Sequence, residues 1–415
     1  MADMTIIKKL TALTVAAVMM AASTSRTAPN IPLKASAAGI EAKENSKDLL
    51  LDCSSRYGYD HLASKPKGEQ LQKLYDIIWD ESVRLWKNAS ADLDKGRGSY
   101  AVTGLKQDLS ALGISEREAA GVLTLFRNDN PMFFWLTPDA YFEDGAYVFS
   151  VEPGLRPGRV RSAAQQEVTA YIKETAVNAR KIYGTSWGKA YKVHNVLITD
   201  LYSALHENYN YISSTVYGAA KNRICTSEGY ARTAQILLNY FDIDNYFVSG
   251  WYKNERHCWN LIRMDDGMTY YADIQLDDKE KEPADYNFAC SKYFVMDSGV
   301  FSATHNVNSR GSEDIRYYLP PLPDISEVPY AKDSYRARWL RGDVSWDEKV
   351  NVADITLIAA HVKGRKMLPK DKQLVADINK DSKVSVADIS LTAAHVKGRK
   401  IIADNAEGLI VVKVD

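Results

Sequence analysis

The chain has 415 residues, 46% of them hydrophobic and 25% charged, which excludes disorder as its overall state and provides material for two or three packed domains. Its 52 Lys and Arg nearly cancel its 53 Asp and Glu, so it carries no basic footprint for nucleic acid. Four cysteines, Cys53, Cys225, Cys258 and Cys290, with no Cys-x-x-Cys spacing, argue against a disulfide scaffold and a structural zinc site.

Residues 1–37 read as a secretory signal. Lys8 and Lys9 form a positive start, Leu10 through Ala22 an apolar run of 13 residues, and Ala35-Ser36-Ala37 a small-x-small cleavage site. The run is too short to cross a bilayer and no later stretch is long and apolar enough, so the expectation is an exported, soluble protein without a membrane span. Losing Lys8, Lys9, Arg26, Lys34 and Asp3 would leave the mature chain at about −4.

Residues 38–164 are expected to be mainly helical. After the breakers Pro66 and Gly68, residues 69–92 place Leu71, Leu74, Ile77, Ile78 and Leu85 at helical spacing. The pattern returns in the core region, 165–317, through Val168, Ile172, Ala176 and Ile182 and then Leu197, Leu201, Leu205 and Tyr209. A helix over 228–240 follows. Short β-rich stretches at 246–250, 259–264 and 269–274 come next, with Asp266-Gly267 as a hairpin signal. Helices followed by antiparallel strands make an α+β layout. Residues 318–340, with Pro320, Pro321, Pro323 and Pro329, read as a semi-extended proline-rich linker. Beyond it lie a duplicated segment at 341–404 and a tail at 405–415.

Cys225, His257 and Asp273 follow one another in the core region as a possible thiol constellation. A helix N-terminus and an imidazole lower a thiol pKa, the histidine shuttles the proton, and the aspartate fixes its tautomer. The segments Glu228-Gly-Tyr-Ala, Val248-Ser-Gly250, His257-Cys-Trp-Asn260 and Tyr271-Ala-Asp273 resemble the core of the transglutaminase-like superfamily. The similarity covers about 165–305, with a weaker helical lead-in back to about Tyr57. That resemblance implies a papain-like fold and a Cys-His-Asp triad that performs acyl transfer on peptide or protein amides, by hydrolysis or by transfer to an amine. His257 and Asp273 fall on its positions. The nucleophile's place, immediately before Glu228, is held by Ser227, and Cys225 stands two residues earlier. Three alternatives stay open: a loop brings Cys225 to His257, Ser227 is the nucleophile, or the site is an inactive binding module. Cys258 is expected to face away from the imidazole, and His194, His206 and His305 lack partners at an informative spacing.

The C-terminal repeat has an offset of 34 residues, and Ala359–Lys366 is identical to Ala393–Lys400. Its two 12-residue loops place oxygens at the positions by which an EF-hand loop wraps calcium. The first set is Asp343, Ser345, Asp347, the Lys349 carbonyl, Asn351 and Asp354. The second is Asp377, Asn379, Asp381, the Lys383 carbonyl, Ser385 and Asp388. Loop position 6, usually glycine, is Glu348 or Ser382, so a strained turn is expected there. A helix follows each loop and ends at Gly364 or Gly398. With the Ala-Ala-His-Val-Lys-Gly-Arg-Lys segment, these two loop-helix units resemble a type I dockerin, a small all-α module with two calcium ions. The resemblance implies docking onto a cohesin domain of a cellulosome-type scaffold, through a face that includes Val352, Ala353, Val386 and Ala387. His361 and His395, near the helix ends, are expected to serve the helix dipole or a partner contact rather than a metal.

Overall fold

The apolar repeat after Pro66 folds as its spacing demands. A computed structural model describes residues 46, 48–96, 101–143, 145–180, 186–204, 210–279, 292–307, 316–330, 338–339, 341–345, 350–402 and 410–411, all within one unit, Ser36–Asp415. The signal segment, Ile182, Leu205, His206, Tyr209 and Cys290 lie outside the described residues. Helix α1 is Tyr57–Leu62, and α2, Gly68–Lys87, buries Leu71, Leu74, Ile78 and Leu85 along one stripe. Helix α3, Glu116–Asp129, starts on a capping box between Ser115 and Glu118 and packs on both.

The region expected to be helical also holds a sheet. Strands β1 (Ala101–Gln107), β2 (Leu136–Glu143) and β3 (Ala146–Val151) pair antiparallel in the order β1-β3-β2. The aromatic and β-branched run Tyr147-Val-Phe-Ser-Val151 makes β3 the buried central strand, and Gly145, at φ +77°, takes the turn before it.

Helices α4 (Gly158–Arg180), α5 (Ser186–Asp200) and α6 (Val216–Asn222) then surround α7, Ser227–Tyr240. A short parallel pair, β4 (Tyr202–Ser203) and β5 (Ile224–Cys225), leads into α7. The opposite side of α7 packs on a four-stranded sheet of β6 (Asn245–Tyr252), β7 (Glu255–Arg263), β8 (Thr269–Ala272) and β9 (His305–Asn306), in the order β8-β7-β6-β9. Helix α8, Ile274–Lys279, follows β8, and α9, Ser298–Ser302, precedes β9. The α+β expectation stands.

Alternation along β7 sorts its side chains. Trp259 and Leu261 join a cluster with Tyr271, Met296 and Phe301 on the outer face, while Ile262 joins the main core with α7. Gly250, opposite His257, leaves room for the Trp259 ring, since a Cβ there would lie 2.5 Å from it.

The first part of the proline-rich stretch, described over 316–330, is no free linker. Tyr318 packs into the core, Leu322 and Ile325 pack against the outer cluster, and Ser326 N–H donates to the Thr269 carbonyl at 2.9 Å. Apolar side chains between the prolines bind this segment to the domain. Its far end, β10 (Arg338–Trp339), pairs antiparallel with β11 (Ile410–Val411) from the expected tail, so the duplicated segment is bracketed by a two-stranded ladder. Helices α10 (Val352–Val362), α11 (Lys370–Ala376) and α12 (Val386–Val396) lie between, and α10 packs on α12.

Asp129 ties the N-terminal elements together. Its carboxylate accepts Gly58 N–H at 2.9 Å, Tyr59 N–H at 3.1 Å and the Tyr75 hydroxyl at 2.9 Å. Burial outweighs these bonds and pushes its pKa up to about 7. The folded carboxyl therefore binds its proton more tightly than the unfolded chain does. Its contribution to stability is fully present below about pH 4 and is lost as pH rises through about 7. Chemical unfolding of the wild type beside D129N should show their stability difference shifting against the wild type by up to roughly 4 kcal/mol between pH 4 and 8; a constant difference would refute this assignment.

Candidate functional site

The start of α7 is pinned before any chemistry is considered. Thr226 N–H donates to the Ser213 carbonyl at 2.9 Å, and its hydroxyl accepts Gly229 N–H at 3.4 Å as the N-cap. Gly229 allows the close approach, because a Cβ there would stand 2.4 Å from the Ser213 oxygen and 3.0 Å from Cys225 Sγ.

Cys225 does not meet His257. It belongs to β5, where its carbonyl accepts Ala204 N–H at 2.8 Å, and its side chain is 0% exposed. No hydrogen bond joins it to the imidazole, and burial pushes the thiol well above its ordinary range, with Arg223 only partly opposing. The two-residue offset is thus not absorbed by a loop, and the expectation of a Cys225 thiolate is corrected. Ser227, half-buried in the first turn of α7, instead abuts β7, and its Oγ accepts the Cys258 N–H at 3.3 Å. Cys258 lies on the α7 side of β7, and its thiol is pushed up by burial first and then by the Glu228 charge. Glu228 is bonded to Arg232, whose guanidinium also lies 4.4 Å over the Phe247 ring.

His257 and Asp273 come together on the outer face. In register, Asn260 opposes Ala272, so Asp273 falls next to Trp259, on the face that His257 also occupies. His257 Nε2 lies 2.6 Å from Asp273 Oδ2, a short ion-pair contact that is off the hydrogen-bond axis. The same oxygen bonds His305 Nε2 at 3.0 Å, and Oδ1 accepts Leu276 N–H at 3.2 Å. Burial alone would raise the Asp273 carboxyl, but the adjacent His257, joined by the hydrogen-bonded His305, holds it below the usual range. His257 Nδ1 makes no hydrogen bond among the described residues.

His305 and His194 both have partners that spacing did not reveal. His194 Nε2 is 2.8 Å from Asp277 Oδ2, and Tyr293 N–H donates to the other oxygen at 2.9 Å, all of it buried. These contacts span 32 and 83 residues, and only the fold creates them.

Two pockets flank the α3–α7 seam. One is lined by Tyr57, Asp129, Gln235, Asn245, Phe247 and Ser249. The other has Arg127, Tyr211 and Arg232 in its wall.

In the duplicated segment the two loop ends are built alike. Asp354 accepts Ser345 N–H at 2.7 Å and Asn351 N–H at 2.8 Å, and Asp388 accepts Ile378 N–H at 2.8 Å and Ser385 N–H at 2.8 Å. Each aspartate also closes the capping box of the following helix. In the second loop Asp377 accepts the N–H groups of Asp381 at 3.1 Å and Ser382 at 2.8 Å, and Asn379 bonds Asp381 at 2.9 Å. Ser382 at loop position 6 has φ +66°, the left-handed turn expected to carry strain without glycine. The donor set of this loop is oxygen only, which fits a hard cation such as calcium. Asp347 and Lys349 lie outside the described residues.

The two repeat histidines serve the backbone. His361 Nδ1 accepts Leu368 N–H at 3.0 Å and His395 Nδ1 accepts Ile402 N–H at 3.2 Å, locking the exit of each helix after Gly364 and Gly398. Val352 and Val386, at the start of α10 and α12, are 67% and 65% exposed.

Residues 341–396 match the family model of the dockerin type I domain. Such a domain implies docking to a cohesin on a cellulosome scaffold, and type I dockerins generally bind calcium. No curated protein matches the chain. No helix among the described residues is long and apolar enough to cross a membrane.

The sealed thiol has a direct test. Iodoacetamide at pH 8 should alkylate Cys225 at least about 100-fold more slowly in the native protein than in denaturant, as read by peptide mass spectrometry; equal rates would mean that the thiol is accessible.

Proposed function

We propose that this chain is a secreted, scaffold-docked protein in which residues 165–317 form a transglutaminase-like module acting on the amide bonds of a peptide or protein. One arrangement supports the enzymatic part. The first turn of α7 places Ser227 Oγ 3.3 Å from the Cys258 main-chain nitrogen, and the preceding residue on β7, His257, reaches Asp273 at 2.6 Å. Ser227, rather than Cys225, holds the nucleophile's place in this reading.

Ser227 Oγ attacks the amide carbon and its proton passes to His257 Nδ1. Asp273 holds the Nε2 side of the ring and stabilises the imidazolium. The amides of Ser227 and Glu228, which have no acceptor among the described residues, supply the positive end of α7 to the developing oxyanion. The imidazolium returns its proton to the departing amine. Water or an acceptor amine then resolves the acyl-serine by the reverse route.

A second reading, a non-catalytic module that holds a peptide or glycan in the same groove, is favoured by the absence of a hydrogen bond between Ser227 and His257. The S227C variant separates the two. In an active site the new thiol should react with iodoacetamide at pH 6 at least about 10-fold faster than Cys225 does, and H257A should remove that advantage along with wild-type amide turnover. An unreactive thiol in S227C, with no turnover by the wild type, leaves the binding module.

The dockerin would bind one calcium ion in each loop, through Asp343, Ser345, Asp347, the Lys349 carbonyl, Asn351 and Asp354, and through Asp377, Asn379, Asp381, the Lys383 carbonyl, Ser385 and Asp388. Calcium supplies the charge that draws these oxygens into a fixed loop and orients α10 and α12. Isothermal titration against a cohesin should show affinity falling by about 100-fold or more in excess chelator and returning with calcium; chelator-resistant binding would remove the metal from the docking step.

A further inference from the structure

We infer that His305 is a positioning residue of this site: it donates its Nε2–H to the Asp273 oxygen that faces His257, fixing the carboxylate and limiting the charge it presents to that imidazole. The inference rests on reading His257 as the base.

A carboxylate only accepts, so His305 Nε2, 3.0 Å from Asp273 Oδ2, is the donor. On the other side of the ring the Thr304 hydroxyl stands 2.9 Å from Nδ1. Packing fixes the ring as firmly as the hydrogen bonds do. His305 stacks on Phe301 with centroids 4.4 Å apart, meets Trp259 edge-on at 5.3 Å, and lies 5.0 Å from Tyr252. Its backbone pairs with Tyr252 at the sheet edge, which fixes the Cα from which the ring extends.

Oδ2 of the carboxylate therefore has one aligned partner, His305, and one short but misaligned contact, His257, while Oδ1 is held by the Leu276 N–H. A rigid His305 thus holds Asp273 in place beside the His257 ring. The other titratable and charged groups around the pair are Tyr252 with Lys253 over its ring, Tyr293 with Lys292 over its ring, and, toward α7, Cys258 and Glu228. Among them Asp273 is the anion in direct contact with both imidazoles.

NMR titration of ring-labelled histidine in the full chain, without substrate, tests this. H305F keeps the stacking and removes the donor, so the whole Asp273 charge falls to His257 and its midpoint should rise by about half a pH unit or more. H305Q, which can still donate to Oδ2, should stay within about 0.2 of the wild type. T304V, which removes the partner of Nδ1, should raise the midpoint by a smaller amount and keeps the test alive if H305F does not fold. An unmoved midpoint in H305F, in T304V where H305F does not fold, or an H305Q shift equal to that of H305F, overturns the inference. The titration needs no turnover, so a protein that processes no amide in any form removes the catalytic reading and leaves this result standing.

Discussion

Because α7 is enclosed by β6 and β7 on one side and by α4, α5 and α6 on the other, its first turn has no freedom to slide or rotate, and every functional feature of the core is referred to it. Gly229 against the Ser213 carbonyl sets the depth of that turn, and the Thr226 cap sets its start. From there the chain's polarity follows. Cys225, one residue before the cap, is drawn into the apolar interior, and Ser227, one residue after it, emerges beside β7. Moving either would require breaking the β4–β5 pair or refilling the contact at Gly229.

The buried carboxylates show how charge is handled around that frame. Asp129, Asp273, Asp277, Asp354 and Asp388 are all buried, and each accepts main-chain N–H donors. Where donors come from neutral groups, as at Asp129, desolvation prevails and the proton is held more tightly. Where imidazoles stand against the carboxylate, as at Asp273, the balance reverses and the carboxylate persists. The contrast distinguishes a structural knot from a site able to support a proton shuttle, and it depends on partners distant in sequence.

The dockerin domain solves a different problem with duplicated parts. One aspartate per repeat both closes the loop and caps the helix, so loop closure and helix initiation share a residue. One histidine per repeat ties the helix exit to the next segment. The result exposes Val352 and Val386 at equivalent places, in the face through which docking is expected.

Local patterns were legible in the sequence because local physics dictates them. The spacing of Leu71, Leu74 and Ile78 made α2, Asp266-Gly267 made a hairpin with Gly267 at φ +80°, and Gly364 and Gly398 ended their helices in the left-handed conformation. The duplicated aspartates announced the dockerin because a hard cation demands its oxygens from one short loop. The Asp144-Gly145 dipeptide carries the same kind of turn signal ahead of β3, and the helical spacing found at 69–92 and from Val168 onward was extended across it. His257 and Asp273 stood out as motif residues, and the fold sets them 2.6 Å apart, one on β7 and the other just after β8. Tertiary packing alone decided that Cys225 is sealed and Ser227 is presented, since two residues on either side of a helix cap differ only in what the rest of the fold lays against them. It likewise decided that Asp273 serves two imidazoles, because His305 arrives from 32 residues away on an edge strand whose place depends on backbone pairing with β6.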